Sequence, residues 1–218
     1  MGMSSDESLV EPAPQFIIDD EEMGPCALLA DAVGVRVDWL KPRTAAVAYD
    51  GQVIRAHGMF SDDFLHEVAH FAVAHDDHKY LENFGLGSDN PDFEERNVVV
   101  DVHDIQHYEL LASLLGILWC AWLGLPYVCV LHDHAWLEYG EKEGRETIRE
   151  TLRSLEAREL LLPSGIPVHI EKLPHLSLVR QGDYNPLPST EEEWKDLFGG
   201  EWYAKEDAEI RARDTAKH

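Results

Sequence analysis

Nine of the twelve histidines fall between His57 and His134, about a third of the chain, so any imidazole chemistry should be sought there. Within that span LHEVAHF, residues 65 to 71, reads H-E-x-x-H. On a helix, His66 and His70 project from one face a turn apart and can bite a single divalent ion, with Glu67 beside the first ligand. The same five residues also occur on helices whose histidines are only solvated, so a metal reading needs a third ligand and a buried setting.

The third ligand decides the chemistry. A metzincin protease would continue with glycine three residues after His70 and a third histidine three residues later, where this chain has Val73 and Asp76. A thermolysin-like enzyme would take a glutamate about twenty residues on, where the chain runs through the loop around Asn90. DVHDIQHYELL offers another route, with His103 and His107 again four apart and Glu109 opening a long apolar helix. A carboxylate there is either a first-turn dipole residue or the third member of a two-histidine, one-carboxylate set, which leaves open positions and suits non-haem iron. His57, Asp77, His103, His107, His132 and His134 are the candidates for outer positions around an ion or pocket; Asp77 belongs to the helical face of His66 and His70, and His132-Asp133-His134 follows an apolar run. His75-Asp76-Asp77 matches an HxD pattern, but it lacks the strand setting that ferrous 2-oxoglutarate enzymes use.

These side chains need elements to hold them. Ser61, with Asp62 and Asp63 behind it, is placed to start a helix over residues 62 to 84, and Gly85 supplies a stop. Its apolar side is Leu65, Val68, Phe71 and Ala72. A second helix is expected over 105 to 123. From Leu110 to Leu131 there is no charge, a length that would span a bilayer, but Gly124 and Pro126 break the run and no Lys or Arg flanks it. The run therefore reads as a buried central helix followed by a core strand. Upstream, ALLADAVG reads as a short helix, and VRVDWL with AAVAYDGQVIRA reads as a small antiparallel hairpin or sheet turning at Asp50-Gly51. Downstream, Ile148, Leu152, Leu155 and Leu160 mark an amphipathic helix, SGIPVHIEKLPHLSLV reads as a strand, and Thr190 with Glu193 matches a capping box. The expected fold is α+β: one domain, mainly helical, with a small mixed or antiparallel sheet and a metal site between the 62–84 and 105–123 helices. A mobile acidic arm (1–22) precedes this metal-binding domain (23–200), and a polar tail (201–218) follows it.

Composition narrows the partners. Forty-two acidic against 18 basic side chains give a net charge of −24, a field that repels nucleic acid and anionic lipid. Neither nucleic acid nor a membrane is expected as a partner. Cys26, Cys120 and Cys129 are odd in number and contain no CxxC pair, as in a reduced cytoplasmic protein, and the first residues show neither a secretory signal nor the context for myristoylation.

Three pieces of sequence resemble the elongation factor P hydroxylases: AHG at 56 to 58, LHEVAHF at 65 to 71, and the spacing from Glu109 through Cys120 and Gly124 to Pro126. They cover residues 56 to about 130. The resemblance implies a metal held by His66, His70 and Glu109, and oxygen-dependent hydroxylation of a protein side chain, with a translation factor as the substrate. The chain departs from that pattern in its extra histidines at 75, 78, 103 and 107 and in its acidity. Fe(II) is the expected ion, with Glu67 orienting water or shuttling protons. Two alternatives stand beside this reading. One is a zinc hydrolase or peptidase in which Glu67 is the general base and Zn(II) the ion; the other is a non-catalytic binding protein with a degenerate site.

Overall fold

Burial at every third or fourth position builds the first helix. In α1 (Met23–Val33), Met23, Cys26, Leu29 and Ala30 are buried on one side while Leu28 and Asp31 face out. The computed structural model describes residues 23–39, 48–56, 61–86, 99–125, 127, 140–173, 186–190 and 192–193. The N-terminal arm, the C-terminal tail, His57, Cys129, His132, His134, residues 87–98 of the expected loop around Asn90 and most of the expected strand after Pro126 lie outside the described residues, as does the side chain of His103.

Three short strands follow α1: β1 (Arg36–Trp39), β2 (Ala48–Tyr49) and β3 (Val53–Ala56). Between β2 and β3, the carboxylate of Asp50 accepts hydrogen bonds from the backbone N–H groups of Gln52 and Val53, at 3.1 and 3.0 Å, and so closes the turn. Gly51 is required there, because a Cβ would lie 2.5 Å from the carbonyl oxygen of Tyr80. β2 pairs antiparallel with β3, and β1 pairs parallel with β3, with Val37 opposite Ile54. The sheet is mixed, in the order β1-β3-β2. Alternation places Ile54 and Ala56 in the core and Arg55 outside, where it pairs with Asp50 at 2.9 Å.

Among the described residues there are three further α-helices: α2 (Ser61–Val73), α3 (Val102–Leu123) and α4 (Gly140–Ala157). α3 is the centre of the molecule. Leu111 through Ile117, and Trp119 through Ala121, are buried without interruption, as an all-round apolar helix requires. No helix among the described residues is long and apolar enough to cross a membrane. α4 presents Ile148, Thr151 and Leu155 to the core and its charges to water. All four helices and the sheet share one hydrophobic cluster.

The helix expected over 62–84 is shorter than the sequence suggests. α2 ends at Val73, and residues 75–81 form tight turns, with His78 N–H donating to the His75 carbonyl and Leu81 N–H to that of His78. His75, Asp76 and Asp77 are exposed, so no apolar face extends the helix, and short polar side chains favour turns over helix interiors. A 3-10 turn at Glu82–Gly85 closes the segment. α3 starts at Val102, earlier than the expected residue 105. Among the described residues of the run expected as a strand from Ser164, Pro167 makes an isolated bridge with Leu161 and Ile170–Lys172 form a 3-10 turn; residues 174–179 of that run lie outside the described residues. His169 turns the chain there, with φ of 72°.

Candidate metal centre

The core decides which way α2 faces. Phe64, Leu65, Val68 and Ala69 are fully buried, and this rotation carries His66 and His70 to the surface shared with α3, where each is only 5% exposed. On α3, Glu109, Ser113 and Gly116 follow one another at helical spacing and form the facing stripe. Gly116 sets the approach: a Cβ there would lie 3.2 Å from both the Cα and the N of His66, tighter than ordinary packing allows. Small residues let the two backbones meet, and the short gap lets a glutamate reach two histidines.

Three ligand atoms converge across that gap. The Nε2 atoms of His66 and His70 are 3.0 Å apart, and Oε2 of Glu109 lies 3.5 Å from the first and 3.3 Å from the second. An ion with bonds of about 2.0–2.1 Å holds its donors roughly 3.3 Å apart in tetrahedral geometry and roughly 3.0 Å apart on an octahedral face. The triangle fits both. Among the described residues it is the one group of histidine, cysteine and carboxylate side chains close enough to share an ion. Imidazole nitrogens and carboxylate oxygens are donor types that bind divalent cations, and here three of them face one point.

Electrostatics favour the ionised carboxylate. Burial pushes the Glu109 carboxyl up, but His70, followed by hydrogen bonds to both histidines and the charge of His66, outweighs it and holds the group well below the usual carboxylate range. Behind the ligands, Nδ1 of His66 lies 3.3 Å from Oγ of Ser113, a contact that leaves Nε2 facing Glu109. The His70 ring stacks on Phe84, with centroids 5.7 Å apart and planes 19° from parallel. Beside His70 the surface has a shallow hollow lined by His70, Ala74, His78, Phe84, Leu86 and Tyr108.

The other sequence candidates stand apart from this triangle. Glu67 is half-buried on α2, about 100° around the helix from His66, and does not join the converging atoms. Asp77 does not share the histidine face, because α2 has already ended; its side chain is 89% exposed, with a carboxylate oxygen 3.6 Å from Nδ1 of His75. His103 lies in the first turn of α3. His107 is half-buried near Arg158 and Asp104, and burial first, then Arg158, lowers its pKa. His57, His132 and His134 lie outside the described residues.

Sequence reasoning passed over Ser113 and Phe84. Ser113 had a legible signal, since it is the lone serine in the uncharged run of α3 and sits one turn after Glu109. Phe84 had none, because its contact with His70 depends on a left-handed turn, with φ of 44° at Asn83 and 55° at Phe84. Comparison with protein-family models, with curated proteins and with solved structures finds no match to this chain.

Proposed function

We propose that the chain is a metal-dependent enzyme, with a divalent ion held by His66, His70 and Glu109. The observation that carries this reading is the convergence of Nε2, Nε2 and Oε2 in a triangle of 3.0 to 3.5 Å between two packed helices. Two neutral imidazoles and one carboxylate leave positions open on an ion, as in oxygen-activating non-haem iron proteins. We take Fe(II) as the ion and oxygen-dependent hydroxylation of a protein side chain as the reaction, by resemblance to the elongation factor P hydroxylases; a translation factor is the corresponding substrate.

When bound, the iron would supply oxygen activation. The chain's own residues hold and tune it. Ser113 holds Nδ1 of His66, Glu109 supplies the negative charge, and Glu67, on the neighbouring face of α2, would orient water or move a proton. The rings of Phe84 and Tyr108 line the shallow hollow beside His70, next to the proposed ion.

A zinc hydrolase is the second reading, favoured by the H-E-x-x-H order and by the fit of the triangle to a tetrahedral ion. There Glu67 would take a proton from the attacking water. Elemental analysis of protein made without a polyhistidine tag, before and after anaerobic iron loading, together with oxygen uptake, separates the two. Stoichiometric iron with oxygen consumption supports the hydroxylase. Stoichiometric zinc with peptide cleavage and no oxygen uptake supports the hydrolase, and absence of any stoichiometric metal overturns both.

A further inference from the structure

Asn83, Phe84 and Gly85 form three consecutive residues with positive φ, of 44°, 55° and 75°. Glycine adopts this conformation freely and asparagine tolerates it, but a phenylalanine gains nothing locally from it, so the position is strained. Such strain persists only where surrounding contacts over-determine it. Here they do so from three sides: the amide oxygen of Asn83 accepts from the N–H of Tyr49 at 3.3 Å, the hydroxyl of Tyr49 donates to the carbonyl of Lys79, and the N–H of Val99 donates to the carbonyl of Gly85 at 3.1 Å. The result is a Phe84 ring only 3% exposed, with Tyr49 stacked on it at 4.2 Å and 8° and the His70 imidazole at 5.7 Å and 19°. A relaxed backbone would swing the ring out of this stack.

We infer that Phe84 is a positioning residue for His70, held by the strained turn so that its flat face fixes the plane of the imidazole and thereby the aim of Nε2. The inference rests on the metal-dependent reading above. It assigns the two histidines different supports. His66 is set by a hydrogen bond from the neighbouring helix, and His70 by an aromatic face delivered from the loop after α2. A hydrogen bond pins one ring nitrogen; a stacked ring fixes only the plane. Distortion of this support therefore alters the geometry of a bound ion while its ligands stay the same.

The test titrates the untagged full chain with Co(II) under anaerobic conditions, comparing the parent with Phe84→Leu and Phe84→Tyr. The leucine fills similar space without a flat face, and the tyrosine keeps the face. Phe84→Leu is expected to weaken Co(II) binding about tenfold, within the range found when groups behind a ligand are lost, and to move the visible ligand-field bands. Phe84→Tyr should restore both. A purely structural role for Phe84 would lower the unfolding temperature without shifting the bands, and parent-like affinity and bands in a folded Phe84→Leu overturn the inference. If circular dichroism shows that Phe84→Leu does not fold, Asn83→Ala decides instead: it loosens the turn but leaves the core intact, and parent-like bands in that variant overturn the inference too. Failure of the parent itself to take up Co(II) removes the metal reading and this inference together, an outcome distinct from any variant result.

Discussion

His66 and His70 occupy one turn of α2, and His75 and His78 follow in the next stretch of chain, yet the two pairs meet different surroundings. Each residue of the first pair is 5% exposed and faces a carboxylate from another helix. In the second, the side chain of His75 is 66% exposed, and the rings stand 5.9 Å apart without converging on a common atom. Residue type and spacing are nearly the same. What differs is a second element close enough to present a third donor, and that closeness comes from Gly116 and Ser113 on α3.

The sharpest way to break this comparison is to remove ligands from each pair. His66→Ala or His70→Ala should weaken binding of a divalent ion by about a hundredfold or more, beyond what loss of a supporting group costs, with the fold kept; isothermal titration and circular dichroism measure the two. His75→Ala and His78→Ala should bind as the parent does. Equal losses in both pairs would mean that histidine density, not convergence, attracts the ion.

Next in size is the opposing carboxylate. Glu109→Gln should weaken the ion by roughly ten- to a hundredfold, whereas Asp76→Asn, at the exposed turn, should leave a metal titration unchanged. The opposite ranking would move the third ligand to the turn and revive a protease-like arrangement. Glu67→Gln then sharpens the chemistry: a general base in a hydrolase costs about a hundred- to ten-thousandfold in cleavage rate when removed, while an oxygen-activating site should keep its metal and its oxygen uptake with a milder loss.

Helix spacing is tested by Gly116→Ala. The added methyl meets the backbone of His66 at 3.2 Å, and overpacking of this kind costs about 1–3 kcal/mol, read by denaturant unfolding. The same variant should bind metal more weakly than its stability loss alone predicts. The smallest effect concerns His107, which shares the i, i+4 pattern with His103 but not the buried triangle. Burial and Arg158 disfavour its imidazolium, so in NMR titrations it should take up its proton below the ordinary histidine range. Between that value and the unfolded one, the unfolded chain binds more protons, and His107 makes the fold less stable as pH falls through that window. Arg158→Ala should raise the titration point.

The fold was legible where periodicity spoke clearly. The uncharged run of α3, the Asp50-Gly51 turn, and the capping box, in which Thr190 and Glu193 exchange hydrogen bonds of 2.9 and 3.2 Å, all follow from local residue chemistry. The end of α2 was not legible. Neither glycine nor proline marks it, and the histidines and aspartates after Val73 keep helical spacing on paper while lacking any core to face. The parallel pairing of β1 with β3 was equally hidden, since a strand does not encode its partner. Within the site, spacing pointed to His66 and His70 as a pair, but the position of Glu109 opposite them depends on how closely two helices pack, a tertiary fact. Asp77 misled because its place on the histidine face assumed a longer helix.

Glu109 also has a meaning for the chain as a polymer. Thirty-eight residues separate it from His70, and an ion shared by the two would join their ends. An ion that stayed bound to the unfolded chain would be a cross-link, and by analogy with a disulfide closing a loop of this length its entropic weight would be about 4 kcal/mol. That weight depends on contour length and not on the identity of the ion. An ion released on unfolding would instead stabilise the fold according to its concentration relative to its dissociation constant, and a chelator would withdraw that stabilisation.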